Sequence, residues 1–274
     1  MENKSQNGGK RLLGKTVVIT GAAGGMGHAM AKKFGQEGAK LLLLDITEKG
    51  LQETKQTLHN IGFDAETYIC DVSDIKSIEN CAGAIFKKHG SVDCLINNAG
   101  ILPPATPLEK LDPQIWDRVF SINVRGAFLC AQQFGLQMLQ KKSGSIVNIA
   151  SIAATFPLGQ PAYTPAKAAI LALARQIAVE WGPHGLRANS VSPGMIMTPM
   201  TTKIYEDKAV LEMRSRAVAS RRIGKADDIA AVAAYLCSDD ASYINGQDIV
   251  VDGGFGLTAL MRMQPLAAQP QPHY

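Results

Sequence analysis

Short apolar runs of strand length alternate with longer stretches of helical periodicity along most of the chain. The first run, 15–20, is rich in β-branched residues, and an amphipathic stretch follows it to about Glu37. Further strands are predicted at 40–45, 65–70, 92–97, 146–150, 186–191 and 246–251, and further helices at 48–61, 74–89, 112–139, 162–181 and 226–238. Because alternating strands and helices form parallel sheets covered by helices on both faces, the pattern predicts an α/β fold.

The alternation stops between Met195 and Arg221. This segment holds four methionines among charged residues and follows the carboxyl end of a predicted strand. A segment in that place is well positioned to cover a substrate, while ordinary packing is the commoner use of methionine. Its basic residues make an anionic substrate conceivable, but their mixture with carboxylates favours a solvated helix.

Composition and the distribution of apolar residues predict the cellular compartment and the domain boundaries. Hydrophobic residues at 46% and charged residues at 19% describe a soluble globular protein. The apolar stretches are too short to cross a bilayer, and the polar leader, 1–12, lacks the apolar core of a signal peptide. We therefore expect a cytoplasmic protein with one domain at 13–256 and a tail, 257–274, whose end is flexible.

Charge and ligand residues exclude several partners. The formal net charge of +4 is modest and spread through the chain, so no nucleic-acid partner is expected. The five cysteines stand at irregular spacing and are interpreted as buried free thiols. The five histidines are equally scattered, and no metal site is expected.

A glycine-rich turn joins the first strand to the first helix. Gly21, Gly25 and Gly27 stand in it, with Met26 between the last two. Glycines at such a turn let backbone N–H groups and the positive end of the helix approach a pyrophosphate. The spacing is Gly-x-x-x-Gly-x-Gly, which differs from the Gly-x-Gly-x-x-Gly of the common dinucleotide fingerprint, and alone it could be a simple turn.

Asp45 ends the second predicted strand, twenty-four residues after Gly21. An acid at that place can accept hydrogen bonds from both hydroxyls of an adenosine ribose and would repel a 2′-phosphate. The residue before Gly25 is Gly24, so no cation stands there to receive a 2′-phosphate. These residues favour NAD over NADP, while the alternative for Asp45 is a capping or loop residue.

Tyr163 and Lys167 are placed to act together at the start of a long predicted helix. Their i, i+4 spacing puts them on one helix face, and Ser151 lies twelve residues upstream of Tyr163 at the end of a predicted strand. An adjacent ammonium is expected to lower the pKa of a phenol from about 10 toward neutrality, which suits an acid or base. Ser151 would supply a hydrogen bond to the reacting oxygen. The pair alone could be an ordinary amphipathic one.

Two asparagines are further candidate functional residues. Asn98 belongs to an adjacent pair after the strand 92–97, where amides can bond backbone groups that the strand ladder leaves free. Asn123 is a polar residue inside the predicted helix 112–139. A buried amide needs partners, so Asn123 is either a partner of backbone groups or a member of a proton path.

Taken together, these motifs resemble the classical short-chain dehydrogenase/reductase family over roughly Leu13 to Gly254. The elements that match in order and spacing are the glycine turn 20–27, the stretch 97–100, Ser151, the pair Tyr163 and Lys167, Pro193 and Gly194 with Thr198, and the stretch 246–254. The resemblance implies a single Rossmann-type domain whose seven-stranded parallel sheet has the order 3-2-1-4-5-6-7, with helices on both faces. It also implies a homotetramer.

The resemblance implies a role for each matching residue. Tyr163 is the general acid/base, Lys167 lowers its pKa and holds the nicotinamide ribose, Ser151 orients the substrate oxygen, and Asn123 anchors a proton-relay water. Asp71 and Val72 contact the adenine end, and Asn98 with Ala99 and Gly100 lies near the cofactor. Ile196 and Thr198 hold the carboxamide side of nicotinamide. The full expected cofactor set is Gly21, Gly25, Met26, Gly27, Asp45, Asp71, Val72, Asn98, Ala99, Gly100, Tyr163, Lys167, Pro193, Gly194, Ile196 and Thr198.

The leading hypothesis is an NAD-dependent oxidoreductase that acts on a secondary alcohol or ketone, such as a cyclic alcohol, a polyol or a steroid. One alternative is a 3-oxoacyl thioester reductase, whose members in this family usually prefer NADPH, so Asp45 argues against it. Another is a nucleotide-binding module that keeps the fold without chemistry. The complete set of Ser151, Tyr163 and Lys167 argues against that reading.

Overall fold

A parallel sheet of seven strands organises the chain in the computed structural model, which describes residues 10–157, 159–199 and 201–258. The nine strands in chain order are β1 Thr16–Thr20, β2 Lys40–Asp45, β3 Ala65–Ile69, β4 Cys94–Asn97, β5 Gly144–Ile149, β6 Leu186–Pro193, β7 Ile196–Met197, β8 Gly224–Lys225 and β9 Asp248–Val251. The large sheet has the order β3-β2-β1-β4-β5-β6-β9, and all its pairings are parallel. The predicted strand order is confirmed, with β9 as the seventh strand.

The described part of the chain contains nine α-helices. They are α1 Gly25–Gln36, α2 Glu48–Asn60, α3 Ile75–His89, α4 Pro113–Phe120, α5 Ala127–Lys141, α6 Tyr163–Trp181, α7 Thr202–Tyr205, α8 Lys208–Ala217 and α9 Ala226–Cys237. Aspartates begin several of them because a carboxylate accepts the unpaired N–H groups of the first turn. Asp74, Asp112 and Asp207 do so at α3, α4 and α8.

The strands bury both faces. Val17 and Ile19 of β1 point into a core shared with α1 and α9, while Val18 points into a second core with α3, α5 and α6. Successive side chains of a strand face opposite sides of the sheet, so a continuous apolar run feeds both cores. This explains why β1 and β2 read as uninterrupted hydrophobic stretches. The helices therefore lie on both faces, as predicted.

The structure refines two predicted elements. The helix expected over 112–139 is α4 and α5 joined by one π-helical stretch, Ser121–Gly126, and Asn123 is buried within it. A π turn inside an α-helix redirects side chains and often occurs at functional sites. The excursion expected over 195–221 contains α7 and α8, and β7 and β8 brace its two ends as a small separate sheet.

Some expectations concern residues that the structure leaves undescribed. Residues 1–9 of the expected leader and 259–274 of the expected tail lie outside the described residues. Within the described ranges, none of the helices has the length and apolar character needed to cross a membrane. All five cysteines are buried and free, which confirms their interpretation as thiols without disulfides.

Candidate active site

The carboxyl ends of the parallel strands open into a cleft of about 840 Å³. Ligands of open α/β sheets bind at this edge, near the point where the strand order reverses. Here the reversal lies between β1 and β4, which are both paired in the middle of the sheet. The predicted cofactor residues that line the cleft are Gly21, Gly25, Met26, Gly27, Asp45, Asp71, Val72, Asn98, Ala99, Gly100 and Thr198.

The glycine turn forms one wall of the cleft and has no room for side chains at Gly21, Gly25 and Gly27. Gly21 has a φ of 66°, which favours glycine, and α1 begins at Gly25 without a side-chain cap. A Cβ at Gly27 would lie 2.2 Å from the Gly21 carbonyl oxygen. The first N–H groups of a helix have no partner within the helix, so this turn offers donors and a positive dipole to a pyrophosphate.

Asp45 lines the cleft beside the glycine turn, where the sequence predicts the adenosine ribose. Its carboxylate accepts hydrogen bonds from the backbone N–H groups of Ala23 and Thr47 at 3.1 and 2.9 Å. The first bond ties the acid to the glycine turn, so Asp45 sits beside the same wall that would hold a pyrophosphate. Ala23 and Gly24, its neighbours in the turn, carry no charge.

Asp71 and Val72 form the next part of the wall. The Asp71 carboxylate accepts bonds from the backbone N–H and the hydroxyl of Ser73, at 2.8 and 2.6 Å. A Cβ at Gly126 would lie 2.9 Å from the Val72 carbonyl oxygen, so the π-helical stretch packs directly on this turn. These contacts fix the turn that follows β3 against the rest of the cleft.

Asn98 fixes the glycine turn to β4. Its side-chain amide donates to the carbonyl oxygens of Thr20 and Gly21, both at 3.0 Å. In return, the Thr20 hydroxyl accepts the backbone N–H groups of Asn98 and Ala99 at 3.1 Å. Asn98 therefore positions the glycine turn, and its side-chain amide donates its hydrogen bonds to backbone groups of the protein.

Ser151, Tyr163 and Lys167 meet behind Gly100. Ser151 follows β5 and Tyr163 opens α6, and the Ser151 hydroxyl is near enough to influence the pKa of the Tyr163 phenol. Lys167 is buried, donates to the Ile149 carbonyl oxygen at 2.7 Å and lies 5.5 Å from the Tyr163 ring centroid. A Cβ at Gly100 would be 3.6 Å from the Lys167 Nζ atom. The absence of a side chain there brings the catalytic candidates against the cofactor cleft.

Burial governs the protonation of both groups. Burial raises the pKa of the Tyr163 phenol, and the Ser151 hydrogen bond lowers it by less. Burial lowers the pKa of Lys167 to about 8, because an ammonium loses solvation there. The expected lowering of the phenol pKa by Lys167 stays a prediction. In the described structure the Lys167 ammonium donates to the Ile149 carbonyl oxygen.

The buried side-chain amide of Asn123 is hydrogen-bonded to the backbone of Ile101. Its side-chain oxygen accepts the Ile101 N–H at 2.8 Å, and its amide donates to the Ile101 carbonyl at 3.0 Å. The side chain thus fixes the chain just after Gly100. Its part in a proton relay stays a prediction.

The segment after β6 closes the cleft from the other side. Pro199 packs so closely that a Cβ at Gly25 would lie 2.4 Å from its Cδ atom. Thr198 donates its N–H to the Thr201 hydroxyl at 2.9 Å, which fixes the turn beside Pro199. Five residues of the expected cofactor set do not line the cleft in the described structure, namely Tyr163, Lys167, Pro193, Gly194 and Ile196.

Sequence reasoning missed several cleft residues from α4 and from the turns after β2 and β3. They are Ile46, Cys70, Ser73, Asp117, Arg118, Ser121, Ile122 and Pro199. Those on α4 and the π-helical stretch reach the cleft only because the helix crosses its mouth, which no local spacing reveals. Pro199 could have been inferred, since it follows Thr198.

The basic residues of 195–221 mostly have partners within their own segment. Arg214 contacts Tyr205, Arg216 pairs with Glu212, and Arg221 donates to the Arg216 carbonyl. This supports the solvated-helix interpretation over an anion site. Among the described residues, no group of three or more side chains could hold a metal ion.

The comparisons with known proteins agree with this geometry. A family model described as enoyl-(acyl carrier protein) reductase matches residues 21–256. The D-threitol dehydrogenase of Mycolicibacterium smegmatis is 36% identical over 89% of this chain and 94% of its own length. The levodione reductase of Leifsonia aquatica is 38% identical over 89% of this chain and 95% of its own length. The chain belongs to the short-chain dehydrogenase/reductase family of oxidoreductases.

A solved structure shows the same fold with a cofactor. The gluconate 5-dehydrogenase of Burkholderia cenocepacia, in complex with NADP and tartrate, is 27% identical and has a TM-score of 0.85. It covers 91% of this chain and 98% of its own length. The family binds a nicotinamide cofactor, and the glycine cradle described above fits the pyrophosphate of such a group.

Proposed function

We propose that this protein is an NAD-dependent oxidoreductase that interconverts a secondary alcohol and its ketone, with Tyr163 as general acid/base. The observation that carries the proposal is the grouping of Tyr163 and Ser151 with buried Lys167, whose Nζ atom lies 5.5 Å from the Tyr163 ring centroid and next to the cleft wall at Gly100. Bound NAD would supply the hydride acceptor for oxidation, and its reduced form the hydride donor for reduction.

The protein's own residues would orient the substrate and move the proton. The Ser151 hydroxyl would hold the substrate oxygen next to the Tyr163 hydroxyl. In the reducing direction Tyr163 donates its proton to that oxygen, which suits a phenol whose pKa is raised by burial. In the oxidising direction the phenolate accepts the alcohol proton. The neighbouring Lys167, with a pKa of about 8, is mostly charged at neutral pH and would favour the phenolate once it forms.

For the substrate, we propose a cyclic alcohol, a polyol or a steroid-like alcohol. D-threitol dehydrogenase is named for a polyol and levodione reductase for a cyclic ketone, and both names support this choice. The alternative is a 3-oxoacyl thioester reductase, and it is supported by the 36% identity of this chain to the 3-oxoacyl-[acyl-carrier-protein] reductase of Thermotoga maritima. The kcat/KM for polyols and cyclic alcohols against 3-oxoacyl thioesters separates the two. A preference for the thioester would replace our proposal.

NAD rather than NADP is proposed because Asp45 and the uncharged Ala23 and Gly24 border the same end of the cleft. A carboxylate there would repel a 2′-phosphate. The NADP bound to the gluconate 5-dehydrogenase is a property of that protein, and it makes this assignment worth a direct test.

We expect Asp45→Ser to lower kcat/KM with NAD about tenfold, since a charge-assisted hydrogen bond to the ribose is lost. The kcat/KM with NADP should rise at the same time, because the repulsive charge is gone. Steady-state kinetics with both cofactors measure this. Asp64→Ser is the matched control, since the Asp64 carboxylate is fully exposed and should have no effect. A wild-type enzyme that prefers NADP would contradict the assignment.

We also propose a homotetramer that uses the helices around 112–139 and 162–181. Large apolar side chains are exposed on α5 and α6, namely Phe128, Leu136 and Val179. Exposed apolar patches of this kind mark association surfaces. Light scattering should give the mass of four chains, and Phe128→Asp should lower it. A mass of one chain for the wild-type protein would contradict the proposal.

A further inference from the structure

Two thiols meet beneath the adenosine end of the cleft. Cys70 directly follows β3 and lines the cleft, and Cys81 lies on α3. The Cys81 sulfur donates to the carbonyl oxygen of Ile69 at 3.2 Å, so it touches the peptide that leads into Cys70. Both cysteines belong to the same buried core cluster. The Cys81 sulfur therefore lies beside the peptide that carries Cys70, within the same core.

Cys70 is also tied to the residues on which cofactor binding would depend. Its backbone N–H donates to the Asp45 carbonyl oxygen at 2.9 Å. Cys70 directly precedes Asp71, whose N–H donates to the hydroxyl of Ser77 on α3 at 3.0 Å. Any movement of the Cys70 sulfur is therefore transmitted to Asp45 on one side and to Asp71 on the other.

We propose that Cys70 and Cys81 form a reversible disulfide when the protein meets a peroxide, and that this disulfide weakens cofactor binding. The bond between two sulfurs is about 2.05 Å long, which is much shorter than a hydrogen-bond contact between thiols. The Cys70 sulfur must therefore move toward Cys81 on α3. Cys81 must give up the proton that it donates to Ile69. Both changes disturb the turn that carries Asp71 and Val72.

The chemistry balances with hydrogen peroxide as the oxidant. The Cys81 thiolate attacks one peroxide oxygen, so an S–O bond forms, the O–O bond breaks and the leaving hydroxide takes up a proton to become water. The Cys70 sulfur then loses its proton and attacks the Cys81 sulfur. The S–S bond forms, the S–O bond breaks and a second water leaves. Two thiols are oxidised and one peroxide is reduced to two waters.

The surroundings suit these roles. The interaction with Cys70 lowers the pKa of the Cys81 thiol, so Cys81 forms a thiolate more readily than Cys70 does. The same contact, followed by burial, raises the pKa of Cys70. Because Cys70 lines the cleft, a small oxidant has a route to the pair. A cofactor in the cleft would close that route, and by linkage it would oppose the disulfide as strongly as the disulfide opposes the cofactor.

The test treats the folded full-length protein with hydrogen peroxide and then uses two readouts. Mass spectrometry should show a loss of two hydrogens and a peptide linked through Cys70 and Cys81. Calorimetry with NAD and with NADP should show affinity for the preferred cofactor falling about fivefold, the effect of losing one hydrogen bond. Dithiothreitol should restore both readouts, and saturating cofactor should slow the linkage.

Variants make the result specific. Cys81→Ser should keep its cofactor affinity after peroxide treatment. The matched control is Cys130→Ala, since Cys130 is a third buried thiol of the same core and should leave the response unchanged. A link to Cys130 instead, no link in the folded protein, or a link without a change in affinity would each overturn the proposal.

The cofactor effect rests on the proposed function, whereas the disulfide does not. If the reduced protein bound neither NAD nor NADP, the proposed function and the cofactor effect would both fail. The linked peptide would still decide whether the disulfide forms, because that readout needs no cofactor.

Discussion

Tyr163→Phe is expected to lower kcat about 10³-fold while leaving the dissociation constant for NAD unchanged within about twofold. The substitution removes one oxygen atom, which is the proton donor and acceptor in our account, and it keeps the ring that lies beside Lys167. A loss in kcat without a loss in binding is the signature of an interaction made only in the transition state. Steady-state turnover and calorimetry measure the two quantities.

Tyr68→Phe is the matched control for this experiment. Tyr68 also loses a bonded hydroxyl, since it donates to Glu66 at 2.9 Å, but it stands on β3 away from the catalytic candidates. Its kcat should stay within about twofold of the wild type, as a distant surface change permits. Equal turnover in the wild type and Tyr163→Phe would contradict the assigned role of the phenol.

Gly27→Ala is expected to weaken NAD binding about 100-fold. The new Cβ would lie 2.2 Å from the Gly21 carbonyl oxygen and 2.7 Å from the Ala22 Cα atom, and both are backbone atoms that cannot turn aside. The turn must open to relieve the clash, at a cost of about 3 kcal/mol. Opening the turn misplaces the N–H groups that we assign to the pyrophosphate. Calorimetry with NAD measures the loss, and circular dichroism confirms that the variant is folded.

Gly24→Ala is the control at the same turn. Its added Cβ would meet the Gly21 carbonyl oxygen at 3.5 Å, which is an ordinary contact, and Gly24 does not have a positive φ. Binding should therefore stay within about threefold of the wild type, because no backbone atom has to move. Folded Gly27→Ala that bound NAD as tightly as the wild type would remove the glycine turn from the cofactor site.

Much of the fold could be predicted from local patterns. The β-branched and leucine runs that became β1 and β2 are long enough for strands and too short for buried helices, and each leads into an amphipathic stretch. The right-handed crossover of such units leaves few topologies open. The small sheet of β7 and β8 was not predicted, because two-residue strands carry no periodicity and form only when distant segments meet.

The candidate site was predictable where its functional residues lie close together in the sequence. Tyr163 and Lys167 share one helix turn, so their proximity followed from helical spacing. The direction of the Tyr163 pKa did not follow from that spacing, because it depends chiefly on burial, which only the folded structure shows. The contact between Cys70 and Cys81 was also hidden, since a strand end and a helix bring the two together.

The most direct test of the central claim is the change in nicotinamide absorbance when the wild-type protein is mixed with NAD and a panel of alcohols. The panel contains polyols, cyclic secondary alcohols, hydroxysteroids and 3-hydroxyacyl thioesters. Our account predicts that NAD is reduced by a polyol, a cyclic alcohol or a hydroxysteroid. Absorbance that stays constant across these three classes, while calorimetry shows NAD bound, would contradict the account and favour a nucleotide-binding module.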